Sequence, residues 1–357
     1  MKKRVVVAMS GGVDSSVAAA LLKNDGYEVI GITMCFNLAD SAGKKPHCCG
    51  RQGIEDARRV AHKLGIKHYV INMRKSLEEK VIKDFCREYA SGRTPNPCVR
   101  CNQFLKFDIL LKKAQALDAQ YLATGHYARI AGFRDSPYIL KKAKDKKKDQ
   151  SYFLYRLNQY QLKHILFPLG KYTKEQVREL ARDFSLPVAD KLASQEICFL
   201  PDDDYRAFLK KRLNTASLKP GLITDKQGNI LGRHKGVAFY TIGQRQGLGV
   251  AMGYPVYITG IDPAKNLITL GSREEVFSRH FLIKNPHFIV KPFKKRVVMS
   301  VRIRYNHKEV QAEVMPLGKK IKVKFKTPQF AVTPGQSAVF YDRDTVQGGG
   351  IIERIID

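Results

Sequence analysis

Through the first two hundred residues, short β-branched apolar runs alternate with longer stretches of helical character. Arg4 to Met9 (RVVVAM) has the length and composition of a strand. It stops at Ser10-Gly11-Gly12, after which Val13 to Lys23 (VDSSVAAALLK) reads as a helix. Strand, tight loop and helix in that order open a βαβ unit. A second strand over Glu28 to Met34, a helix over Ile54 to Leu64 and a third strand over His68 to Asn72 continue the alternation. A long helix around Leu77 to Tyr89, another starting near Pro97 and the run Tyr121 to Thr124 follow. This order predicts an α/β protein whose N-terminal part is a mostly parallel, doubly wound sheet.

Six of the eight residues from Lys141 to Lys148 are lysine, which interrupts the periodicity and reads as an exposed loop. The pattern resumes with Tyr152 to Leu157 and a helical stretch over Thr173 to Phe184. From about Asp204 glycine-rich turns such as Gly243-Gln244-Arg245-Gln246-Gly247-Leu248-Gly249 appear, and short alternating strands replace helices. In Lys320 to Lys326 (KIKVKFK) apolar residues and lysines alternate with period two, so one face packs and the other carries charge. The expected organisation is an α/β catalytic domain over 1–203, a small central domain over 204–280 and a C-terminal β-barrel over 281–357.

The length of 357 residues suits two or three domains at about 150 each. With 44% hydrophobic and 27% charged residues the chain can bury ordinary cores. It has no run approaching the ~20 apolar residues of a membrane span, and Met1-Lys2-Lys3-Arg4 leads into a strand rather than a signal-peptide core. A cytoplasmic protein with no membrane partner is expected. Seven cysteines, an odd number, argue against a secreted disulfide framework and leave reduced, metal-binding or catalytic thiols. The formal charge of +30, from 63 Lys and Arg against 33 Asp and Glu, makes a neutral metabolic enzyme a poor guess and favours a polyanionic partner. A solubilising lysine-rich surface is the plainer alternative.

Chemistry enters at Ser10-Gly11-Gly12-Val13-Asp14-Ser15-Ser16, between the first strand and helix. There the backbone N–H groups and the positive end of the helix dipole converge, which makes an anion site. Two glycines permit close backbone approach to a phosphate, and the serines add hydroxyl donors. Asp14 is placed to hold a magnesium ion against a pyrophosphate. Neither G-x-x-x-x-G-K-[ST] nor G-x-G-x-x-G occurs here. The string resembles the pyrophosphate loop of the PP-loop ATP pyrophosphatase superfamily, of HUP-like fold, which implies cleavage of ATP to AMP and pyrophosphate with adenylation of a carbonyl oxygen.

The cysteines differ in context. Cys35 and Cys86 read as buried fillers. Cys98 and Cys101 lie in Gly92 to Asn102 (GRTPNPCVRCN), where Asn96 reads as an N-cap and Pro97 as the first helical residue. Three residues apart on one helix face, both thiols are expected to have pKa values lowered by the dipole and by Arg93 or Arg100. Cys198 falls in Ala193 to Pro201 (ASQEICFLP), which reads as a loop at the edge of the α/β domain. A zinc site of Cys98 and Cys101 with Cys48 and Cys49, an incidental disulfide, and plain packing are the competing readings. The adjacency of Cys48 and Cys49 makes them an awkward chelating pair.

Seven segments in order resemble the tRNA-specific 2-thiouridylase family: Ser10 to Ser16, Gly92 to Asn102, Ala123 to Arg129 (ATGHYAR), Lys148 to Leu154 (KDQSYFL), Ser194 to Pro201 (SQEICFLP), Tyr240 to Gly249 (YTIGQRQGLG) and Pro334 to Tyr341 (PGQSAVFY). The resemblance implies that ATP adenylates the C2 oxygen of a wobble uridine in tRNA and that sulfur then displaces AMP. It places ATP on Ala8, Met9, Ser10, Gly11, Gly12, Val13, Asp14 and Ser15, with Met34 and Gly125 near the nucleoside. It makes Cys198 the persulfide carrier, charged by a sulfur-relay or cysteine desulfurase donor protein. Cys101 becomes the nucleophile that closes a disulfide with Cys198. For tRNA it points to Asn96, Pro97 and Cys98 beside the target base, and to His126, Lys148, Asp149, Gln150, Arg304, Tyr305 and Gln336. His126 could equally be a residue capping the sheet edge.

Cys98 stands where many relatives carry aspartate, so Cys98, Cys101 and Cys198 together could instead hold a [4Fe–4S] cluster that binds sulfide. An amide ligase of the same superfamily is a rival reading, though it gives Cys101 and Cys198 no task. A non-catalytic RNA-binding protein would leave the phosphate loop unexplained. Charge is concentrated along the chain: residues 276–308 hold nine Lys or Arg and no acid, and Lys319, Lys320, Lys322, Lys324 and Lys326 line one face of a predicted strand. This β-rich tail and the lysine loop are expected to grip the tRNA body through phosphates.

Overall fold

The computed structural model describes residues 2–36, 51–132, 136–192, 197–200 and 204–356. Contacts divide the chain into two compact units. One comprises Met1–Val81, Cys98–Asp204 and Asp344–Gln347; the other comprises Ile82–Pro97, Tyr205–Arg343 and Gly348–Asp357. Among the described residues no helix is long and apolar enough to cross a membrane.

The first unit is built on a five-stranded sheet in the order β3-β2-β1-β4-β7, every pairing parallel. Its strands are β1 (Arg4–Ala8), β2 (Glu28–Cys35), β3 (Lys67–Asn72), β4 (Tyr121–Ala123) and β7 (Ile165–Leu166). β1 is central, and Val5, Val6 and Val7 are fully buried because helices cover both faces of a parallel sheet. Helix α1 (Val13–Asn24) follows β1 and α2 (Arg51–Lys63) precedes β3. The small residues Ala18, Ala19 and Ala20 let α1 approach the sheet, and Val177 and Ala181 of helix Lys174–Asp183 join the same core.

The doubly wound α/β expectation is met. The chain crosses from one side of β1 to the other, so its carboxyl end, beside that of β4, is the point where such sheets bind ligands.

Two helical stretches carry features the periodicity did not announce. The run expected around Leu77 to Tyr89 is α-helical over Arg74–Leu77, π-helical over Glu78–Ile82 and α-helical again over Lys83–Ala90. The helix expected near Pro97 starts there, but only Pro97–Arg100 and Leu111–Gln115 are α-helical. Cys101–Leu110 between them is π-helix. Such wide turns recur at functional sites.

The lysine run is not wholly a loop. Lys141 and Lys142 end strand β6 (Ile139–Lys142), which pairs with β5 (Ala128–Ala131) and, through Leu140 and Lys141, with Val346 and Thr345. The rest is a turn folded round Asp145, whose Oδ1 accepts from the N–H groups of Lys147 and Lys148.

In the second unit β8 (Gly221–Thr224), β9 (Ile230–His234), β10 (Tyr257–Asp262) and β11 (Leu267–Gly271) form a sheet in the order β10-β11-β8-β9. Six further strands are β12 (Phe277–Phe288), β13 (Val297–Arg302), β14 (Val310–Leu317), β15 (Lys320–Phe330), β16 (Ser337–Asp342) and β17 (Thr345–Ile355). They run in the order β12-β15-β14-β13-β16-β17, and β12 pairs with β17, so the barrel closes and leaves no edge among them. Its core includes Phe281, Val323, Phe325 and Phe340. Along β15 Ile321, Val323 and Phe325 are buried and Lys322, Lys324 and Lys326 are not, as the alternation predicted.

Candidate functional site

The loop after β1 is held by its own side chains. Gly11 has φ +73°, and a Cβ there would lie 2.2 Å from the Gly53 carbonyl oxygen, so only glycine fits. Gly12 is the extended residue before α1, with no side chain to cover the helix terminus, which leaves the first N–H groups of α1 for a ligand. Ser15 Oγ accepts from the Ser10 N–H at 3.1 Å and donates to the Gly12 carbonyl at 3.1 Å; Ser16 Oγ donates to that carbonyl at 2.8 Å. Gly125 is pressed against the start of α1, where a Cβ would come within 2.8 Å of Asp14 C and Ser15 N.

Ser10, Asp14, Ser15 and Gly125 line a cleft of about 220 Å³, open to solvent, together with Ala8, Met9, Ile32, Met34, Lys106, Thr124, His126 and Gln150. Of the residues expected to hold ATP, Ala8, Met9, Ser10, Asp14, Ser15, Met34 and Gly125 line this cleft. Gly11 and Gly12 shape its loop, and the buried Val13 anchors the helix in the core.

The acidic and basic partners of the loop come from far along the chain. Asp14 Oδ1 accepts from Lys174 Nζ at 2.6 Å and from the Tyr127 hydroxyl at 2.8 Å. Burial, and then the Asp14 charge, push the Tyr127 hydroxyl pKa far up, so it stays protonated and donates. Asp14 Oδ2 has no hydrogen-bond partner among the described residues and is the oxygen available to a magnesium ion. Lys191 Nζ donates to the Gly11 carbonyl at 3.0 Å and to Asp56 Oδ2 at 2.6 Å. Burial favours the neutral form of Asp56, but hydrogen bonds from Lys191, Arg59 and Gln52 outweigh it and hold the carboxyl below the usual carboxylate range.

His126 is buried, with Nδ1 2.7 Å from Thr124 Oγ1 and its ring between Phe107 and Phe167 at centroid distances of 5.7 and 5.8 Å. Burial, reinforced by Lys106, depresses its pKa well below the usual value, so the ring is neutral at pH 7. It reaches the cleft beside Gln150, whose Oε1 accepts from the Tyr127 N–H at 3.0 Å.

The thiols depart from expectation. Burial, and secondarily the proximity of Cys198, push Cys98 up to about 11, with Lys106 opposing. The lowering expected from the helix dipole and arginines is therefore overturned at Cys98. The physical reason is desolvation of the thiol, and the arginines expected to oppose it are engaged elsewhere: Arg93 Nε donates to Glu88 at 2.8 Å, and Arg100 lies over the Phe104 ring. Cys101 is a buried thiol and Cys198 an exposed one. Cys86 is buried as expected, whereas Cys35 is only partly so. Cys48 and Cys49 lie outside the described residues, and with them the four-cysteine zinc reading. Cys98, Cys101 and Cys198 are all described, yet no group of three or more His, Cys, Asp or Glu poised to hold a metal ion occurs among the described residues.

The remaining expected tRNA contacts are partly engaged with their own chain. Asp149 is buried, accepting from the Ala143 N–H at 3.0 Å and the Ser151 hydroxyl at 2.8 Å, so it shapes the turn. Lys148 is half-buried at the end of the lysine turn. In the second unit, Gln336 Nε2 donates to the Thr94 and Pro95 carbonyls at 3.1 and 3.2 Å, just before Asn96 and Pro97. Arg304 donates to the Phe330 and Ala331 carbonyls, and Tyr305 lies under the Arg302 guanidinium. Sequence reading missed Lys106, Tyr127, Lys174, Asp56 and Lys191 as site residues, because nothing local marks them.

Three family models match in succession: a tRNA methyl transferase HUP domain over residues 3–202, a tRNA methyl transferase PRC-barrel domain over 206–272 and an aminomethyltransferase beta-barrel domain over 278–352. The chain is 52% identical to tRNA-specific 2-thiouridylase MnmA 1 of Caldanaerobacter subterraneus subsp. tengcongensis, over 99% of each. It is 49% identical to tRNA-specific 2-thiouridylase MnmA of Clostridium acetobutylicum, over 99% of this chain and 100% of that one. With the protein named so in Halothermothrix orenii the identity is 51%, over 98% and 99%. Identity at half of all positions across the whole of both chains leaves one assignment: this chain belongs to the tRNA-specific 2-thiouridylase family.

Proposed function

We propose that this protein is an ATP-dependent tRNA sulfurtransferase that makes 2-thiouridine at the wobble position. The observation that carries the reading is the placement of the strand-loop-helix anion site at the switch point of the sheet. In the same unit, Cys98 and Cys101 sit on a helix that also sends Lys106 into the cleft. The words methyl transferase in the family-model descriptions fit this site less well: a helix terminus free for polyphosphate, flanked by lysines, suits ATP.

ATP is bound with its pyrophosphate on the N–H groups of Gly12 to Ser15, and Asp14, through Oδ2, would hold a magnesium ion whose charge would offset that of the departing pyrophosphate. The uridine O2 attacks the α-phosphorus, the bond to pyrophosphate breaks, and the N3 proton leaves to solvent. Adenylation converts a poor leaving oxygen into AMP. The terminal sulfur of a Cys198 persulfide then adds at C2 and expels AMP. The Cys101 thiolate attacks Cys198 Sγ, the S–S bond breaks and leaves sulfur on C2, and a Cys101–Cys198 disulfide forms, to be reset by a thiol reductant. Cys198, exposed, is accessible to a donor protein; Cys101, buried, is protected from side reactions. The neutral His126 and the Gln150 amide offer hydrogen bonds to a base drawn out of its stack.

The test is incubation with ATP, magnesium, a persulfide donor and bulk tRNA, followed by nucleoside mass spectrometry. We expect 2-thiouridine from the wild type and none from Cys101→Ser or Cys198→Ser proteins that still bind tRNA. Full thiolation by both variants would overturn the sulfur route. Consumption of ATP with ammonia and a free nucleotide, and none with tRNA, would favour the amide-ligase reading.

A further inference from the structure

Three lysines surround the phosphate loop, and two of them are bound by carboxylates: Lys174 by Asp14 and Lys191 by Asp56. Lys106 is different. It is half-buried, it lines the cleft, and among the described residues its ammonium has neither a hydrogen bond nor an ion pair. A lysine that lines the cleft beside the loop with its ammonium uncommitted among the described residues is available to an anionic ligand there.

Its position on the helix says which part of the ligand. Lys106 lies five residues after Cys101 within the π-helical stretch. At the α-helical 3.6 residues per turn, two residues five apart point about 140° away from each other. In the wider π-turn, at about 4.4 residues per turn, they fall within about 50°, so the segment turns Lys106 toward the face that carries Cys101. Its charge also acts on both His126 and Cys98. The ammonium therefore stands on the border between the nucleotide cleft and the thiol-bearing helix, where the α-phosphate must meet the acceptor.

We propose that Lys106 is a catalytic residue whose ammonium binds the α-phosphate of ATP and stays on it through both steps of the reaction. During adenylation it offsets the charge on the non-bridging oxygens as the uridine oxygen bonds to phosphorus and pyrophosphate departs. During sulfur transfer the C2–O bond breaks, the electron pair goes to the AMP phosphate, and the same ammonium stabilises that phosphate. The proposal rests on the thiouridylase reading for its acceptor but not for its nucleotide.

The experiment uses the full-length protein with Lys106→Gln and Lys106→Arg, each checked for an unchanged melting temperature. ATP affinity by calorimetry should weaken about 10-fold in Lys106→Gln and be largely restored by arginine. Pyrophosphate release with ATP and tRNA, which needs no sulfur, should fall about 100-fold or more in kcat in the glutamine variant. Unchanged ATP affinity, or release at saturating ATP within threefold of wild type, would overturn the proposal. Absence of tRNA-dependent release from the wild type would overturn the thiouridylase reading instead, while the affinity comparison still decides the part played by Lys106.

Discussion

Lys174 Nζ lies 2.6 Å from Asp14 Oδ1, joining the first turn of α1 to the first turn of a helix 160 residues later. The pair fixes the carboxylate at the mouth of the loop and, with the Tyr127 hydroxyl, occupies Oδ1 and leaves Oδ2 without a partner among the described residues. Lys174→Met should loosen that carboxylate, lower stability by about 1–2 kcal/mol and raise the magnesium concentration needed for ATP-dependent pyrophosphate release. Denaturant unfolding and a magnesium titration check both. An unaltered magnesium dependence would mean that Asp14 does not meet the metal.

Cys98 and Cys198 should differ in reactivity. With Cys98 held at about 11, roughly one molecule in a thousand carries its thiolate at pH 8, so alkylation there should be slow. Cys198 is exposed and should label first. Peptide mapping after timed iodoacetamide treatment reads the order, and Cys98 labelling that outpaces Cys198 at pH 8 would contradict the raised pKa of its thiol.

Acid should destabilise the fold before any carboxylate titrates. Burial depresses the pKa of His68, His126, His234 and His307 below the usual value. For each, the unfolded chain binds the proton more tightly, so its contribution is present above about pH 6.5 and is lost as pH falls toward the folded pKa. Melting temperature should decline from pH 7.5 to 5.5, and His126→Gln should shallow that slope. Equal slopes in the two proteins would remove His126 from the account.

Binding of tRNA should depend steeply on salt. If Lys322, Lys324 and Lys326 sit on phosphates, affinity falls by orders of magnitude between about 50 and 200 mM salt. The log–log slope of Lys322→Ala/Lys324→Ala/Lys326→Ala should then be smaller by about one for each phosphate that is no longer neutralised. Fluorescence anisotropy over a salt series measures it. A triple variant with the wild-type slope would move the grip elsewhere.

The phosphate loop was legible in the sequence because strand, glycines, serines and helix are contiguous, and local rules govern contiguous residues. The barrel strand Lys320–Phe330 was legible for the same reason: period-two alternation is a local signal of one packed face. The partners of the loop were not. Tyr127 and Lys174 reach Asp14 across 113 and 160 residues, and Lys191 reaches Asp56 across 135. No spacing rule encodes such pairs. The thiol at Cys98 was misread because a helix terminus and nearby arginines are visible in a sequence while desolvation is not. The π-turns escaped because a single inserted residue barely alters an apolar pattern.

The bond from Lys191 to the Gly11 carbonyl also acts as a mooring for the chain that follows. Cys198 comes seven residues after Lys191, and seven residues fully extended span about 25 Å. On its other side, Phe199 and Leu200 are buried at 3% and 2% exposure, which shortens the line further. Cys198 is therefore confined to within about 25 Å of Lys191, whatever path the chain takes between them. On the proposed sulfur route, a donor protein would have to deliver its sulfur inside that radius.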